Sequence, residues 1–449
     1  MAHLIVQPAR RPLAGSVPVP CDKSISHRAL ICAALARGRS EIRGFSYGED
    51  NVATSRAFSR MGVRIEDDGH GTLQVFGVGL GGLTPPDGEL DCGNSGTSMR
   101  LLAGVLAAQH FRSRLVGDAS LTRRPMGRIV KPLRMRGALI DGSLHASRED
   151  EITAPLDIGP LQAERLLPLE YQLPVASAQV KSALLLSGLW ASGPTLVREP
   201  LVSRDHTERI LSALGIPIET AGPLVKLHPP ADPNAIEGFS VDLPGDLSAA
   251  AFPLVAGLIV PQSHVTTRGT GTNPSRTGLL DVVRRLGGTI ACTPRGESLG
   301  EPFGELSVTS TSLRGQSVGG ELALRAIDEI PILAALASRA SGTTEIADVS
   351  ELRVKESDRI SAIVGLLRAF GVEAEERESG FSLRGQPDAP LKAAHVSSHG
   401  DHRIAMSAAV LALVADGPTR IDDVDCIQTS FPRFVGTLRA LGAEIEVHT

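Results

Sequence analysis

Six glycine-announced strand signals recur along this 449-residue chain, and their spacing restricts the fold more than any other feature. They read MGVRIE from Met61, RGALID from Arg136, LGIPIE from Leu214, LGGTIA from Leu286, FGVEAE from Phe370 and LGAEIE from Leu441, separated by 75, 78, 72, 84 and 71 residues. A period of that length is an α/β supersecondary unit, longer than a solenoid repeat. Each unit opens with a polar cluster that runs into an apolar, alanine-rich stretch with helical character: DKSISHR at Asp22, GNSGTSMR at Gly93, ASAQVKS at Ala176, PGDLSAA at Pro244, AIDEIP at Ala326 and SSHGDHR at Ser397. A β-branched or alternating run follows, in RGRSEIRGF, FRSRLVG, SGPTLVRE, PQSHVTTRG, SGTTEIAD and DGPTRIDD. A second polar patch and a second amphipathic helix come next, and the glycine with its strand closes the unit.

Six α/β units group most naturally into two lobes of three. The least repetitive segments are Met1 to Pro20 and the Pro/Asp-rich run from Pro229 to Pro244, so the chain is expected to cross between lobes near Pro20 and Pro244. One lobe then holds residues 1–20 and 245–449, the other residues 21–244. With 42% hydrophobic residues and a net charge of -5, the chain can bury large cores and lacks the basic excess of a nucleic-acid binder. The longest apolar stretch, Ala249 to Val260, is too short to span a bilayer and contains Pro253, and Met1 to Gly15 has no signal-peptide core. The expectation is a cytoplasmic, monomeric enzyme with no membrane or nucleic-acid partner. Its five cysteines are odd in number and form no C-x-x-C pair, which argues against a disulfide framework or structural zinc.

Several motif matches carry no chemistry. Gly77-x-Gly79-x-x-Gly82 fits the dinucleotide fingerprint, yet LTPP follows it and no helix start opens to hold a pyrophosphate. No Gly-Lys dipeptide exists, which removes the P-loop. His395, His399 and His402 have helical ligand spacing, but Ser397, Ser398 and Gly400 disfavour helix there, and no metal is expected. Ser95 lacks the frame of a nucleophile elbow.

Helix starts carry unpaired N–H groups and a partial positive charge, so six brought together beside Lys and Arg would bind a heavily anionic small molecule. Lys23, Ser24 and Arg28 fall in the first turns of the first helix, where a solvated face explains them equally well. Asn94, Gly96 and Thr97 form a small-residue helix start suited to close ligand approach or to simple capping. Arg124 precedes Pro125, which biases it to extended backbone with its side chain projecting from a loop. Ser177 and Gln179 precede the third helix, and Arg204 lies in that unit's second polar patch. Asp328 and Glu329 stand before Ile330-Pro331, where an acid also favours a helix start. RVKESDR brings Lys355, Glu356 and Arg359 within a helical turn and a half, and a surface ion pair is the plain alternative. Arg403 follows Asp401, a natural N-cap.

Taken in order, DKSISHR, GNSGTSMR, LTRRPMGR, PVASAQVKSALLL, SRDHTER, IDEIPILA, RVKESDR and SSHGDHRIAM resemble the 5-enolpyruvylshikimate-3-phosphate synthase family across essentially the whole chain. The resemblance implies an enolpyruvyl transferase fold, an inside-out α/β barrel of two lobes, each with three βαβαββ units about a pseudo-threefold axis. It implies transfer of the enolpyruvyl group of phosphoenolpyruvate to the 5-hydroxyl of 3-phosphoshikimate, with no cofactor. Carried over by position, Lys23, Ser24, Arg28, Ser177, Gln179, Arg204, Asp328 and Lys355 make up the 3-phosphoshikimate set. Lys23, Gly96, Arg124, Gln179, Arg359 and Arg403 make up the phosphoenolpyruvate set. Asp328 takes the base role and Glu356 the companion acid/base role, with Lys23 stabilising the departing phosphate.

Three departures qualify the resemblance. Ala178 replaces a second serine, Glu351 a frequent asparagine, and Thr429 a lysine that many members use for phosphoenolpyruvate. UDP-N-acetylglucosamine enolpyruvyl transferases usually carry a cysteine where this chain has LTRRPMG and an asparagine after the first lysine, where Ser24 stands here. A noncatalytic anion-binding module would gain nothing from carboxylates placed among its cations.

Overall fold

The computed structural model describes residues 2–145 and 151–448. The chain divides into two compact units, one formed by residues 1–21, 244–297 and 302–449, the other by residues 22–243 and 298–301. The short segment Ser298–Glu301 groups with the second unit, whereas the sequence reading kept it with the residues that flank it.

Each glycine that announces a strand has a backbone reason. Gly62, Gly137, Gly215, Gly287, Gly371 and Gly442 all adopt φ between 77° and 108°, the left-handed region that side chains disfavour. Each follows an amphipathic helix, and the next residue's N–H reaches back to a carbonyl five residues earlier, as Val63 does to Phe58 at 3.1 Å and Val372 to Leu367 at 2.9 Å. This is the Schellman stop, which satisfies the last helical carbonyls and turns the chain into a strand. Helix starts are equally local: side-chain oxygens of Asp22, Ser95, Ser177, Asp246 and Asp401 cap the helices that begin beside them. The AIDEIP start differs, because a 3₁₀ turn over Ile327–Glu329 leads into the helix Ile330–Ala337 without a side-chain cap.

Among the described residues six four-stranded sheets form, each with a parallel edge pair followed by antiparallel pairing. The glycine-led strand does not close its unit, as the sequence pattern suggests. A further strand returns beside it, as Thr72–Val78 does beside Arg64–Asp67. In the sixth unit the N-terminal strand His3–Val6 takes that place, between Thr419–Asp422 and Ile445–His448.

The crossings follow the same logic. Strand Ala14–Pro18 leads into the helix Lys23–Leu35 of the other unit, but pairs in parallel with His264–Gly271 of its own unit. Strand Ser240–Asp242 leads into Leu247–Ile259 but stays behind to pair with Arg37–Arg43. Each unit therefore borrows one edge strand from a distant stretch of chain, which is why residues 1–20 look unlike any repeat.

In the first unit the helices Leu247–Ile259, Ile330–Ala337 and His402–Ala412 pack on one another. All thirteen residues of Leu247–Ile259 are buried, and all but Ser248 are apolar because the helix has no solvent face. In the second unit Gly96–Leu106 packs against Lys23–Leu35 and Ala178–Gly188. A Cβ at Gly104 would lie 2.3 Å from the Ala183 carbonyl oxygen, so glycine is required for that approach. No helix among the described residues is long and apolar enough to cross a membrane, and all five cysteines are free.

Candidate active site

In the unit built on residues 22–243, the starts of the three packed helices carry the predicted side chains. Lys23 pairs with Asp50 and remains about a third exposed. Arg28 is buried, and each guanidinium nitrogen is engaged: Nε donates to Thr207 Oγ1 at 2.7 Å, Nη1 to the Ser24 carbonyl at 2.9 Å and Nη2 to Ser182 Oγ at 2.8 Å. Burial pushes its pKa down while Glu208, Asp22 and Glu301 oppose the shift. Arg28 is therefore a buried, fixed cation, not a mobile surface arm.

Gln179 is the second residue of the helix Ala178–Gly188, not ahead of it, and joins two elements. Its amide donates to Thr97 Oγ1 at 2.9 Å and its carbonyl accepts from Arg100. Arg100 also donates to the Pro125 carbonyl at 3.2 Å. Arg100, the last residue of GNSGTSMR, has no role in the residue sets carried over by resemblance; its spacing of four from Gly96 is the available signal, since such residues stack on one helix face. Arg124 has the extended backbone expected before Pro125, with φ −77° and ψ 140°, and donates to Asn94. A Cβ on Gly96 would stand 3.0 Å from Arg100 Nη1 and 3.4 Å from Arg124 Nη1, so the two guanidinium groups converge over this glycine.

Behind these groups lies a buried charge cluster without a sequence-assigned role. Lys181 Nζ meets Glu199 at 2.6 Å and Glu208 at 2.8 Å, all nearly inaccessible. Glu199 also accepts from the Ser177 N–H at 3.3 Å, the Ser203 N–H at 3.2 Å and Ser203 Oγ at 2.6 Å. One carboxylate thereby holds both Ser177 and the segment leading to Arg204. Lys181 is the positioning lysine here, while Lys23 is the accessible one.

In the other unit Arg359 is the organising group. It is 1% exposed, with Nε 2.8 Å from Asp401 Oδ2, Nη2 2.6 Å from Glu356 Oε2 and Nη1 3.9 Å from Asp328 Oδ1. Asp401 also caps its helix through the Arg403 N–H at 2.9 Å and accepts from Ser357 Oγ at 3.0 Å. Arg403 Nη1 donates to the Asp328 carbonyl at 2.7 Å. Desolvation alone would raise the Glu356 carboxyl, but Arg359, with Lys355, holds it well below the usual carboxylate range. Burial and the neighbouring arginines push His402 down to about 3, so its ring is neutral at physiological pH.

The structure separates the neighbours Asp328 and Glu329. Glu329 is buried and accepts from Ser248 Oγ, which also accepts from Arg276 Nη2 at 2.8 Å, while the Asp328 side chain is 17% exposed on the Arg359 side. RVKESDR is not one continuous helix. A 3₁₀ turn ends at Val354, Lys355 is extended, and the helix starts at Arg359 after an Asp358 cap. Lys355 and Glu356 thus sit on a loop whose direction is set by Ser357 and Asp358. Thr429 ends the 3₁₀ turn Asp425–Thr429, its hydroxyl donating to the Cys426 carbonyl at 2.7 Å. Among the described residues, no cluster of three His, Cys, Asp or Glu is arranged to hold a metal ion.

The family model described as EPSP synthase (3-phosphoshikimate 1-carboxyvinyltransferase) matches residues 8–438. The 3-phosphoshikimate 1-carboxyvinyltransferase of Geobacter sp. (strain M21) is 48% identical over 438 residues, covering 98% of this chain and 99% of its own length. The protein of the same name from Geobacillus kaustophilus (strain HTA426) is 47% identical over 429 residues, covering 96% and 98%. Among solved structures, EPSP synthase from Acinetobacter baumannii superposes with a TM-score of 0.90 at 39% identity, with 100% of both chains covered.

Proposed function

The chain belongs to the EPSP synthase family, and we propose that it transfers the enolpyruvyl group of phosphoenolpyruvate to the 5-hydroxyl of 3-phosphoshikimate, releasing phosphate. The observation that carries this reading is the Arg359 cluster, in which one buried guanidinium is shared by Glu356, Asp401 and Asp328. Anion capture alone has no use for carboxylates at this position, because each weakens the field that attracts the anion. A reaction that removes a hydroxyl proton and delivers one to a methylene carbon requires them.

In this reading Lys23, Ser24, Arg28, Ser177, Gln179, Arg204 and Lys355 hold 3-phosphoshikimate, and Asp328 takes the proton from its 5-hydroxyl. Lys23, Gly96, Arg124, Gln179, Arg359 and Arg403 hold phosphoenolpyruvate. Each substrate carries a phosphate of about -1.5 to -2 and a carboxylate. Guanidinium forks suit both groups because they bind two oxygens at once.

Glu356 is the acid/base that serves the phosphoenolpyruvate methylene, and its setting suggests how it acquires a usable proton affinity. With Arg359 against it, the carboxyl stays ionised. A phosphoenolpyruvate carboxylate that draws on Arg359 weakens that hold and raises the affinity of Glu356 for a proton. Lys23, accessible beside Asp50, stabilises the departing phosphate. No side chain needs to form a covalent intermediate. We read the enzyme as a cytoplasmic monomer that acts without metal or cofactor.

Phosphate release is expected only when 3-phosphoshikimate and phosphoenolpyruvate are supplied together. Release that depends on UDP-N-acetylglucosamine, or binding of both substrates without turnover, would overturn the proposal.

A further inference from the structure

The four-residue segment Ser298–Glu301 is built to dock. It is the turn between strands Thr289–Ser298 and Glu301–Thr309, and its two central residues, Leu299 and Gly300, have φ 50° and 78°. Those values give a two-residue turn of the kind that usually takes Asn-Gly, and leucine is strained in its first position. Gly300 is required twice, because a Cβ there would also lie 2.6 Å from the Arg209 carbonyl oxygen. Arg209 Nη1 donates to the Gly300 carbonyl at 3.3 Å, and Ser298 Oγ donates to the Asp242 carbonyl at 2.5 Å. The next residue, Glu301, is a carboxylate with 1% side-chain exposure whose Oε1 lies 2.7 Å from Nδ1 of His206, itself 2% exposed.

His206 opens the helix His206–Ala213. Arg204 lies two residues before it, and Thr207, the acceptor for Arg28 Nε, is the next residue. Thr207 Oγ1 also donates at 2.7 Å to Ser182 Oγ, which accepts the other end of the Arg28 fork. The carboxylate of Glu301 therefore fixes, through one ring, the helix turn that orients Arg28 and leads out of Arg204. It also contributes a buried negative charge in the field of Arg28.

We propose that Glu301 is a positioning residue for 3-phosphoshikimate, acting through His206 on Arg28 and Arg204. The proposal rests on the functional reading above and names a residue that reading does not contain. The role is selective, since the residues it orders belong to the 3-phosphoshikimate set.

The test compares Glu301→Gln, His206→Leu and His206→Asn in the full chain. Asn keeps an N–H close to the place of Nδ1; Leu does not. Titration calorimetry gives the Kd for 3-phosphoshikimate alone, steady-state kinetics gives both KM values and kcat, and thermal melting checks the fold. Glu301→Gln and His206→Leu are expected to raise the Kd and KM for 3-phosphoshikimate about tenfold, the loss typical of a charge-assisted hydrogen bond. The phosphoenolpyruvate KM should stay within about twofold, and His206→Asn should restore most of the affinity. A folded Glu301→Gln protein with an unchanged 3-phosphoshikimate Kd would refute the proposal. So would a loss spread equally over both substrates that tracks a fall in Tm. Should Glu301→Gln not fold, the Leu and Asn variants of His206 decide by the same criteria. Absence of turnover in the unaltered protein would instead reject the functional reading.

Discussion

Replacing Asp401 separates its two roles in one experiment. The carboxylate is inaccessible, accepts from Arg359 Nε at 2.8 Å and from Ser357 Oγ at 3.0 Å, and caps its helix through the Arg403 N–H. Asp401→Asn keeps a cap, since Asn and Asp cap about equally, but removes the charge that balances buried Arg359. Glu356 remains as a partial counterion at 2.6 Å, so the loss should fall below the 3–5 kcal/mol of a fully orphaned buried charge, at about 2 kcal/mol. Asp401→Ala removes the cap as well, for about 1 kcal/mol more. With an m value near 3 kcal/mol/M, the alanine variant should unfold at about 1 M less urea. Trp190, Tyr47 and Tyr171 are the only such aromatics in the sequence and all lie in the other unit. Circular dichroism should therefore register the loss more strongly than tryptophan fluorescence. The phosphoenolpyruvate KM should rise about tenfold as Arg359 loses its orientation. An Asn variant within about 0.5 kcal/mol of the parent, the range of ordinary surface substitutions, would refute the view that Asp401 compensates a buried charge.

Asp328→Ala should leave 3-phosphoshikimate binding measurable by calorimetry while reducing kcat by at least about 100-fold; near-normal turnover would remove Asp328 from the base role. Gly96→Ala should raise the phosphoenolpyruvate KM several-fold, because the added methyl presses on the ends of Arg100 and Arg124, and an unchanged value would show that those ends yield freely. Stability should fall as the pH drops from about 6.5 towards 3. Burial pushes His27 and His402 down to about 3, so over this range the unfolded chain binds protons that the folded chain refuses. The loss is small above pH 6.5, amounts to about 2 kcal/mol per histidine at pH 5 and is complete only near pH 3. Flat urea midpoints across that window would contradict it.

Much of the architecture was legible because its signals are short-range. A side-chain cap acts over two or three residues, and the Schellman stop over five, so five caps and six stops are legible directly, as in DKSISHR or LGAEIE. The unit boundaries and the return strand were less visible. Ala14–Pro18 and Ser240–Asp242 pair with strands 250 and 199 residues away, and no local pattern announces such a partner. Similar reasoning applies at the candidate site. RVKESDR drew attention through its composition, but the break before Arg359 depends on Asp358 capping a helix that the charge pattern alone would have extended backwards.

The sequence by itself determined the six repeats, their helix starts and stops, and the residue types available for binding anions, since each of these is settled between near neighbours. Only the tertiary structure decided which charges are buried and what balances them. Asp328 and Glu329 are adjacent, yet one faces Arg359 and the other is sealed against Ser248, 81 residues distant. Lys23 is accessible while Lys181 lies between two buried carboxylates, and Arg28 is held by Thr207, 179 residues along the chain. The physical reason is that the energy of a charge is set by what replaces its water, and the replacements come from whichever segments the fold brings alongside.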